Sequence, residues 1–250
     1  MTKRAVILAG GKGSRLGPYT TVLPKPLLPI GDRAILDVVM RQLAAAGFER
    51  VTLAVGYLSH LVTAVMGDGS RHGLAIDYFE EEEPLGTVGA LASIDHLDEP
   101  FLVMNGDVLT SLDYGDLMRA HAGSGNLLTI ASHRRVVKID YGVLHHGDRA
   151  GDTHRIVAFE EKPELRYVVS MGVYGFHPGA LGYVKPGAYL DLPELVQRLL
   201  DAGEPIGSYL FDGFWLDIGR HEDYERAIQE YEQVRPLLDG GASSAARRPA

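Results

Sequence analysis

Short apolar runs alternate with stretches of helical spacing through the first half of the chain. Residues 5–9, Ala5-Val6-Ile7-Leu8-Ala9, read as a buried strand. Residues 35–46 carry apolar side chains at helical intervals, and Gly47 follows as a C-cap. A second strand is expected over residues 51–55 and a second helix over 58–66. A third strand follows over 76–80 and a third helix over 87–94. Residues 101–104 form a fourth apolar run, leading directly into Asn105-Gly106-Asp107. Such alternation is the mark of a mainly parallel α/β sheet, because a parallel crossover needs a connection long enough to hold a helix.

From about residue 126 the pattern changes. Residues 127–132, 142–145, 156–160 and 168–176 read as strands joined by turns, with little helix between them. Helical spacing returns over 192–200 and 224–231, flanking a strand near 214–218. The pattern predicts a single domain over residues 1–235, with a parallel α/β half over 1–125, of the kind that binds nucleotides, and a more antiparallel half over 126–235. No Pro/Ser-rich linker divides them. Residues 236–250 lack apolar periodicity and are expected to be a disordered tail. No hexapeptide or longer repeat is visible, which argues against a β-helix within these residues.

Charge and composition narrow the chemistry. A net charge of −9 argues against nucleic-acid partners, which call for an excess of Lys and Arg, but small phosphorylated ligands need only local cations, backbone N–H groups or a metal. With no cysteine, the chain has no disulfide, thiolate zinc site or Cys nucleophile. Lys3 and Arg4 precede an apolar stretch too short for a signal peptide, and no apolar run approaches a membrane span, so a cytoplasmic protein is expected.

The most informative stretch is Gly10-Gly11-Lys12-Gly13-Ser14-Arg15-Leu16. A buried strand ending in glycines exposes backbone N–H groups without Cβ obstruction, which suits a polyphosphate, and a guanidinium such as Arg15 can hold two phosphate oxygens. A dinucleotide fingerprint would need a glycine where Leu16 stands, and a Walker loop would need Gly-Lys-Ser/Thr, which Gly11-Lys12-Gly13 does not supply. A tight turn with no ligand is the plain alternative. Next come four prolines within residues 18–29, a stiff frame that would fix Lys25 relative to the glycines.

The glycine stretch followed by Pro24-Lys25-Pro26-Leu27-Leu28-Pro29-Ile30 resembles the signature of the sugar-1-phosphate nucleotidyltransferases, also called nucleotide-sugar pyrophosphorylases. The likeness continues to about residue 232. It implies a Rossmann-like, mainly parallel mixed sheet flanked by helices, of the nucleotide-diphospho-sugar transferase type, with a more antiparallel sugar-binding half. It also implies transfer of a nucleotidyl group from a nucleoside triphosphate to a hexose or heptose 1-phosphate, with release of pyrophosphate. Gly10, Gly11, Gly13, Ser14, Arg15 and Lys25 would hold the triphosphate, and Arg15 and Lys25 would stabilise the charge on departing pyrophosphate. Two strongly anionic substrates repel each other, and a divalent cation held by one or two carboxylates offsets that. Asp107, at a strand's carboxyl end, and Asp217, in Trp215-Leu216-Asp217-Ile218-Gly219, match the family's Mg²⁺ ligands. Taken alone, Asp217 reads equally as a carboxylate hydrogen-bonded to backbone.

The same resemblance assigns Glu161 and Lys162 of Glu160-Glu161-Lys162-Pro163 to the sugar phosphate, although those residues by themselves make an ordinary charged turn. Gly142 and Ser170 match positions near the sugar. Many relatives have Asn or Thr where Ser170 stands, and a hydroxyl replaces only part of an amide's hydrogen bonding. The turn from Glu80 to Gly89 resembles the base-binding segment, with Gly86 beside the nucleoside and Glu81 reading the base edge. A carboxylate there suits the adjacent donors of guanine, which favours GTP and the mannose-1-phosphate guanylyltransferase-like branch. dTTP, UTP, CTP and ATP stay open, and so does a solvated run of glutamates. Relatives often form homo-oligomers. A non-catalytic homologue that senses nucleotide-sugars is the alternative of another class. A glycosyltransferase would call for Asp-x-Asp, which Asp113 and Asp116 do not form. The ten histidines show no metal-ligand spacing, and Trp215 reads as a packing residue.

Overall fold

The structure is a computed structural model describing residues 3–81 and 83–239. Strand β1 (Arg4–Leu8) leads through a 3-10 turn at Ser14–Leu16 to two short paired strands, β2 (Pro29–Ile30) and β3 (Arg33–Ala34). Helix α1 (Ile35–Ala45), strand β4 (Arg50–Val55), helix α2 (Ser59–Met66) and strand β5 (Ala75–Glu80) come next. They are followed by helix α3 (Gly86–Gly89), strand β6 (Phe101–Asn105), strand β7 (Val108–Thr110) and helix α4 (Tyr114–Ser124). The second half holds four long strands: β8 (Leu128–Lys138), β9 (Gly142–Ala150), β10 (Thr153–Glu161) and β11 (Glu164–Phe176). Helix α5 (Leu192–Asp201), strand β12 (Ile206–Leu210), strand β13 (Trp215–Asp217) and helix α6 (His221–Asp239) complete it.

Seven strands form the central sheet in the order β12-β8-β11-β6-β1-β4-β5. β11 alone runs antiparallel to its neighbours; every other pairing in the sheet is parallel. Side chains alternate across it, as a strand buried on both faces requires. Ala5 and Ile7 of β1 join a core with α1 and α2, whereas Val6 joins a second core with Leu192, Leu195 and Leu199 of α5. A third cluster seats Tyr224, Ala227 and Tyr231 of α6 on Leu16, Leu28 and Ile35. The expected parallel sheet flanked by helices is the architecture found.

Several local expectations change. The helix expected over 87–94 is only a turn of α-helix followed by a 3-10 stretch, Ala90–Ser93, and its first-turn Val88 and Gly89 N–H groups, which have no partner within the helix, donate to the carbonyl of Leu190. α4 and β12 carry no clear hydrophobic period: α4 buries one leucine, Leu117, beside Tyr114 and His121. Its start is set by Asp113, whose side chain accepts from the Asp116 N–H, so these two acids serve a cap. The strands of the second half are longer than expected. β8 and β11 run on past the sheet, pairing from Glu164 opposite Lys138 to Ser170 opposite Ser132, and with the β9–β10 pair they form an exposed arm. α6 continues through Pro236 to Asp239, inside the stretch expected to be a tail, because Leu238 is buried against the third cluster. The rest of that expected tail, from residue 240, lies outside the described residues.

Gly47 ends α1 as anticipated. It adopts φ +76°, donates to the Ala44 carbonyl at 3.0 Å, and lets Phe48 donate to Leu43 at 3.0 Å, a pattern that satisfies the last helical carbonyls. At the other end of α1, Asp37 accepts from Arg41 at 2.8 Å and lies 2.7 Å from His72 Nε2, tying the helix to the turn before β5. Burial alone would raise the Asp37 pKa, but hydrogen bonds from Arg41 and His72 outweigh it and hold the carboxyl below its ordinary range. A depressed carboxylate contributes stability above its unfolded value, about 4, and loses it as pH falls through the lower folded value. Asp37→Asn should therefore cost about 2 kcal/mol in urea denaturation at pH 7, and the gap to the parent should narrow as pH falls below the unfolded value of about 4.

Candidate active site

The carboxyl ends of β1, β4, β5 and β6 meet along one edge, where open α/β sheets bind ligands. A cleft of about 800 Å³ opens there. Its walls include Gly10, Gly11, Gly13, Ser14, Arg15, Lys25, Glu81, Gly86 and Asp107, all the positions assigned to the nucleotide. Lys12, Gly56, Tyr57, Thr87, Asn105 and Asp191 line it as well, and the sequence reading did not single them out. Gly56 had a visible signal, a glycine directly after the apolar run 51–55. Asp191 had none, since only folding brings it to Thr87.

The glycine turn is shaped by its neighbours. Gly13 takes φ +60° to start the 3-10 turn, and a Cβ there would lie 3.0 Å from Thr20 Cγ2 and 3.2 Å from Lys25 Cβ. Thr20 Oγ1 donates to the Gly13 carbonyl at 2.9 Å, so the turn and the proline-framed segment are packed as one piece. Gly11 differs: a Cβ on it would meet no protein atom within 4 Å. Its open side faces the cleft, leaving room for a polyphosphate to approach the backbone.

Lys25 Nζ donates to Asp107 Oδ2, and both side chains are mostly buried. The other oxygen, Asp107 Oδ1, is buried without a hydrogen-bond partner. Asp217 stands on β13, which pairs antiparallel with β7 so that Asp217 is opposite Val108. It adjoins the cleft without lining it. Asp217 Oδ2 and Arg15 Nη2 converge on Gly219, each 3.9 Å from where a Cβ would sit. Although Asp217 keeps surface exposure, surrounding protein strips some of its water. That desolvation, with the negative charge of Asp107, raises its pKa against the opposing pull of Lys25 and Arg15. A buried carboxylate oxygen lacking a partner and a neighbouring carboxylate under like-charge repulsion form a donor set suited to a hard divalent cation. No cluster of three or more His, Cys, Asp or Glu residues suited to a metal occurs among the described residues, so phosphate oxygens would have to complete the shell.

The sugar-assigned residues lie elsewhere. Gly142 and Glu161 oppose each other across β9 and β10, and Lys162 turns the chain toward β11 with φ +47°. None of these lines the cleft; they belong to the arm that extends from its edge. Ser170 donates its hydroxyl to Tyr174 at 3.1 Å, a ring that feels the charge of the acidic pair. Burial, helped by the charges of Asp217 and Asp107, holds that buried phenol's pKa up, although the Ser170 bond opposes it. A bulge between Ser170 and Tyr174 puts Gly172 at φ +76°, where a Cβ would strike Asn105 Nδ2 at 2.9 Å. Trp215 packs as expected, with Nε1 donating to the Met171 carbonyl. His145 pairs with Glu160 and His146 stacks on His154, surface roles in keeping with their spacing. Among the described residues, no helix is long and apolar enough to cross a membrane.

Residues 4–234 match the family model described as nucleotidyl transferase. The chain is 31% identical over 246 residues to the UTP–glucose-1-phosphate uridylyltransferase of Synechocystis sp., covering 90% of this chain and 62% of that protein. It is 34% identical over 250 residues to the mannose-1-phosphate guanylyltransferase of Mycobacterium tuberculosis, covering 98% of this chain and 67% of the relative. The chain thus spans 62% and 67% of the lengths of these two curated relatives. Among solved structures it is similar to HddC from Yersinia pseudotuberculosis complexed with GMP-PN. That match has a TM-score of 0.68 and 25% identity, covering 92% of this chain and 100% of the other.

The two glycines should respond differently to a methyl group. Gly13→Ala, strained at positive φ and crowded by Thr20 and Lys25, should lose about 1–2 kcal/mol in thermal denaturation. Gly11→Ala should stay within about 0.5 kcal/mol of the parent, yet bind inorganic tripolyphosphate about tenfold more weakly by calorimetry.

Proposed function

This chain belongs to the nucleotidyl transferase family, and from that premise we propose that it transfers a nucleotidyl group, from GTP by preference, to a hexose or heptose 1-phosphate. The observation that carries this is the meeting, in one cleft, of an open glycine turn, Arg15, Lys25 and Asp107, with Asp217 alongside. Those groups are what an in-line phosphoryl-type displacement asks of a protein: positioning and charge stabilisation, with no protein nucleophile. The triphosphate lies along Gly10, Gly11, Gly13 and Ser14. An oxygen of the sugar phosphate attacks the α-phosphorus, the bond to the β-phosphate oxygen breaks, and pyrophosphate departs. Arg15 and Lys25 stabilise the negative charge that collects on that leaving group. Gly142, Glu161, Lys162 and Ser170 receive the sugar phosphate from the arm side. Asp107 and Asp217 would hold Mg²⁺, which when bound supplies the charge neutralisation that lets two anions meet.

Glu81 supports guanine. Its carboxylate lines the cleft, and its Oε2 accepts from the Leu85 N–H at 2.9 Å, which fixes its direction while leaving acceptor capacity on both oxygens. Guanine presents two adjacent N–H donors that a single carboxylate can accept. The guanylyltransferase name of the mycobacterial relative and the GMP-PN complex of the HddC structure favour the same base. The uridylyltransferase relative makes UTP the second reading.

With Mg²⁺ and mannose, glucose or heptose 1-phosphate, pyrophosphate release should be fastest with GTP among GTP, UTP, dTTP, CTP and ATP. Faster release with another triphosphate would overturn the assignment of Glu81. No release with any would favour a non-catalytic nucleotide-sugar-binding protein. Asp107→Asn and Asp217→Asn should each lower kcat by about 100-fold or more while keeping the parent's thermal midpoint; near-normal rates in both would remove the metal assignment.

A further inference from the structure

The turn Leu85–Gly89 at the nucleoside end of the cleft does not hold its own shape. Its backbone is bound almost entirely to a segment about a hundred residues later, just before α5. Leu190 N–H donates to the Leu85 carbonyl at 2.9 Å, and the Leu190 carbonyl accepts from Val88 at 3.1 Å and Gly89 at 3.2 Å. Gly86 and Gly89 fit so closely that a Cβ would come 2.6 Å from the Leu190 carbonyl oxygen and 2.4 Å from that of Ala188, respectively.

Asp191 closes this contact and reaches the cleft wall. Its Oδ1 accepts from Thr87 N at 3.0 Å and from Thr87 Oγ1 at 3.3 Å. Its Oδ2 accepts from the Tyr189 hydroxyl at 2.5 Å. The Thr87 hydroxyl in turn accepts from Leu192 N at 2.7 Å, completing a ring of bonds between the two segments. Both oxygens of residue 191 act as acceptors, a demand that a carboxylate meets and an amide does not. Asp191 heads α5 without capping it by a side-chain bond, so its polar capacity goes to the turn. On the opposite side, Glu81 accepts from Leu85 N–H. Two carboxylates therefore grip one turn from either flank.

We propose that Asp191 is a positioning residue for nucleoside recognition: it fixes the Gly86–Thr87 backbone, and through it the setting of Glu81, against the incoming base and ribose. This rests on the nucleotide assignment above. Because the triphosphate is held at the glycine turn, Asp191 governs the nucleoside part of binding and leaves the phosphate part alone.

Calorimetry on the full chain with two probes separates these parts. Asp191→Asn should bind a non-hydrolysable GTP analogue, or the UTP analogue if that is the tighter ligand, about tenfold more weakly than the parent. Its affinity for inorganic tripolyphosphate should stay within about twofold of the parent's. Tyr189→Phe, a change at an exposed ring that removes one donor to Asp191, should weaken nucleotide binding in the same sense by a smaller factor, and it carries the test if Asp191→Asn does not fold. Unchanged nucleotide affinity in the folded variants would overturn the proposal, as would equal loss of both probes. If the parent protein binds tripolyphosphate but neither nucleotide, the nucleotide assignment itself fails and Asp191 has nothing to position.

Discussion

Leu8 and Asn105 stand side by side as the last paired residues of two parallel strands, and the cleft is built outward from that alignment. One more bond, from Gly106 N–H to the Leu8 carbonyl at 2.9 Å, holds the chains together for a further step. Beyond it they part, β1 into the glycine turn and β6 into Asp107. The closeness depends on Gly106 lacking a side chain, since a Cβ would lie 3.1 Å from the Leu8 carbonyl oxygen and 3.3 Å from Pro26. Parallel register thus fixes how near the backbone donors of the turn can come to the carboxylate. A shift of one residue between β1 and β6 would move Asp107 away from Lys25 and turn each strand's side chains to the wrong face.

Charge at the cleft is local. A chain of net charge −9 has no diffuse field to offer an anion, yet Lys25 and Arg15 stand where β1 ends. Lys25 is held by Pro24 and Pro26 on either side and by its packing on Gly13. Its ammonium group pairs with one oxygen of Asp107 and keeps two donors free of that bond, the second Asp107 oxygen has no partner, and Asp217 feels the negative charge of Asp107. Desolvation and the negative charge of Asp107 together disfavour the ionised form of Asp217, a condition that added positive charge at the site would ease.

The parallel half was legible in the sequence because its strands are buried on both faces and its helices carry broad apolar stripes. The glycine turn and Asp107 were legible for a related reason, since each lies directly beside a strand that the pattern marks, and Lys25 was legible from the prolines that flank it. α4 was hidden because a tyrosine, a leucine and a histidine do the packing that aliphatic residues usually do. The arm was read as short strands because β9 and β10 cover no core, so nothing forces their full length into strict alternation. Apart from the family resemblance, Asp217 stood out only as an acid within an apolar run. That its strand pairs with β7, next to Asp107, is a long-range fact that no local pattern encodes. Asp191 is invisible on the same grounds.

The division into a nucleotide half and a sugar half is therefore not a division into two separable bodies. β11, from the second half, is the antiparallel neighbour of β6 and continues the sheet to β8 and β12. β13 lines up Asp217 against β7 of the first half, and residues 188–192 give the turn at Gly86 its shape. Two parts of the cleft region made by the first half, the turn at Gly86 and the strand beside Asp107, are thus completed by contacts from the second. The glycine turn draws its packing mainly from β1 and the proline frame, with Leu16 seated against α6, but the turn at Gly86 and the placing of Asp217 beside Asp107 exist only when the two halves close on each other.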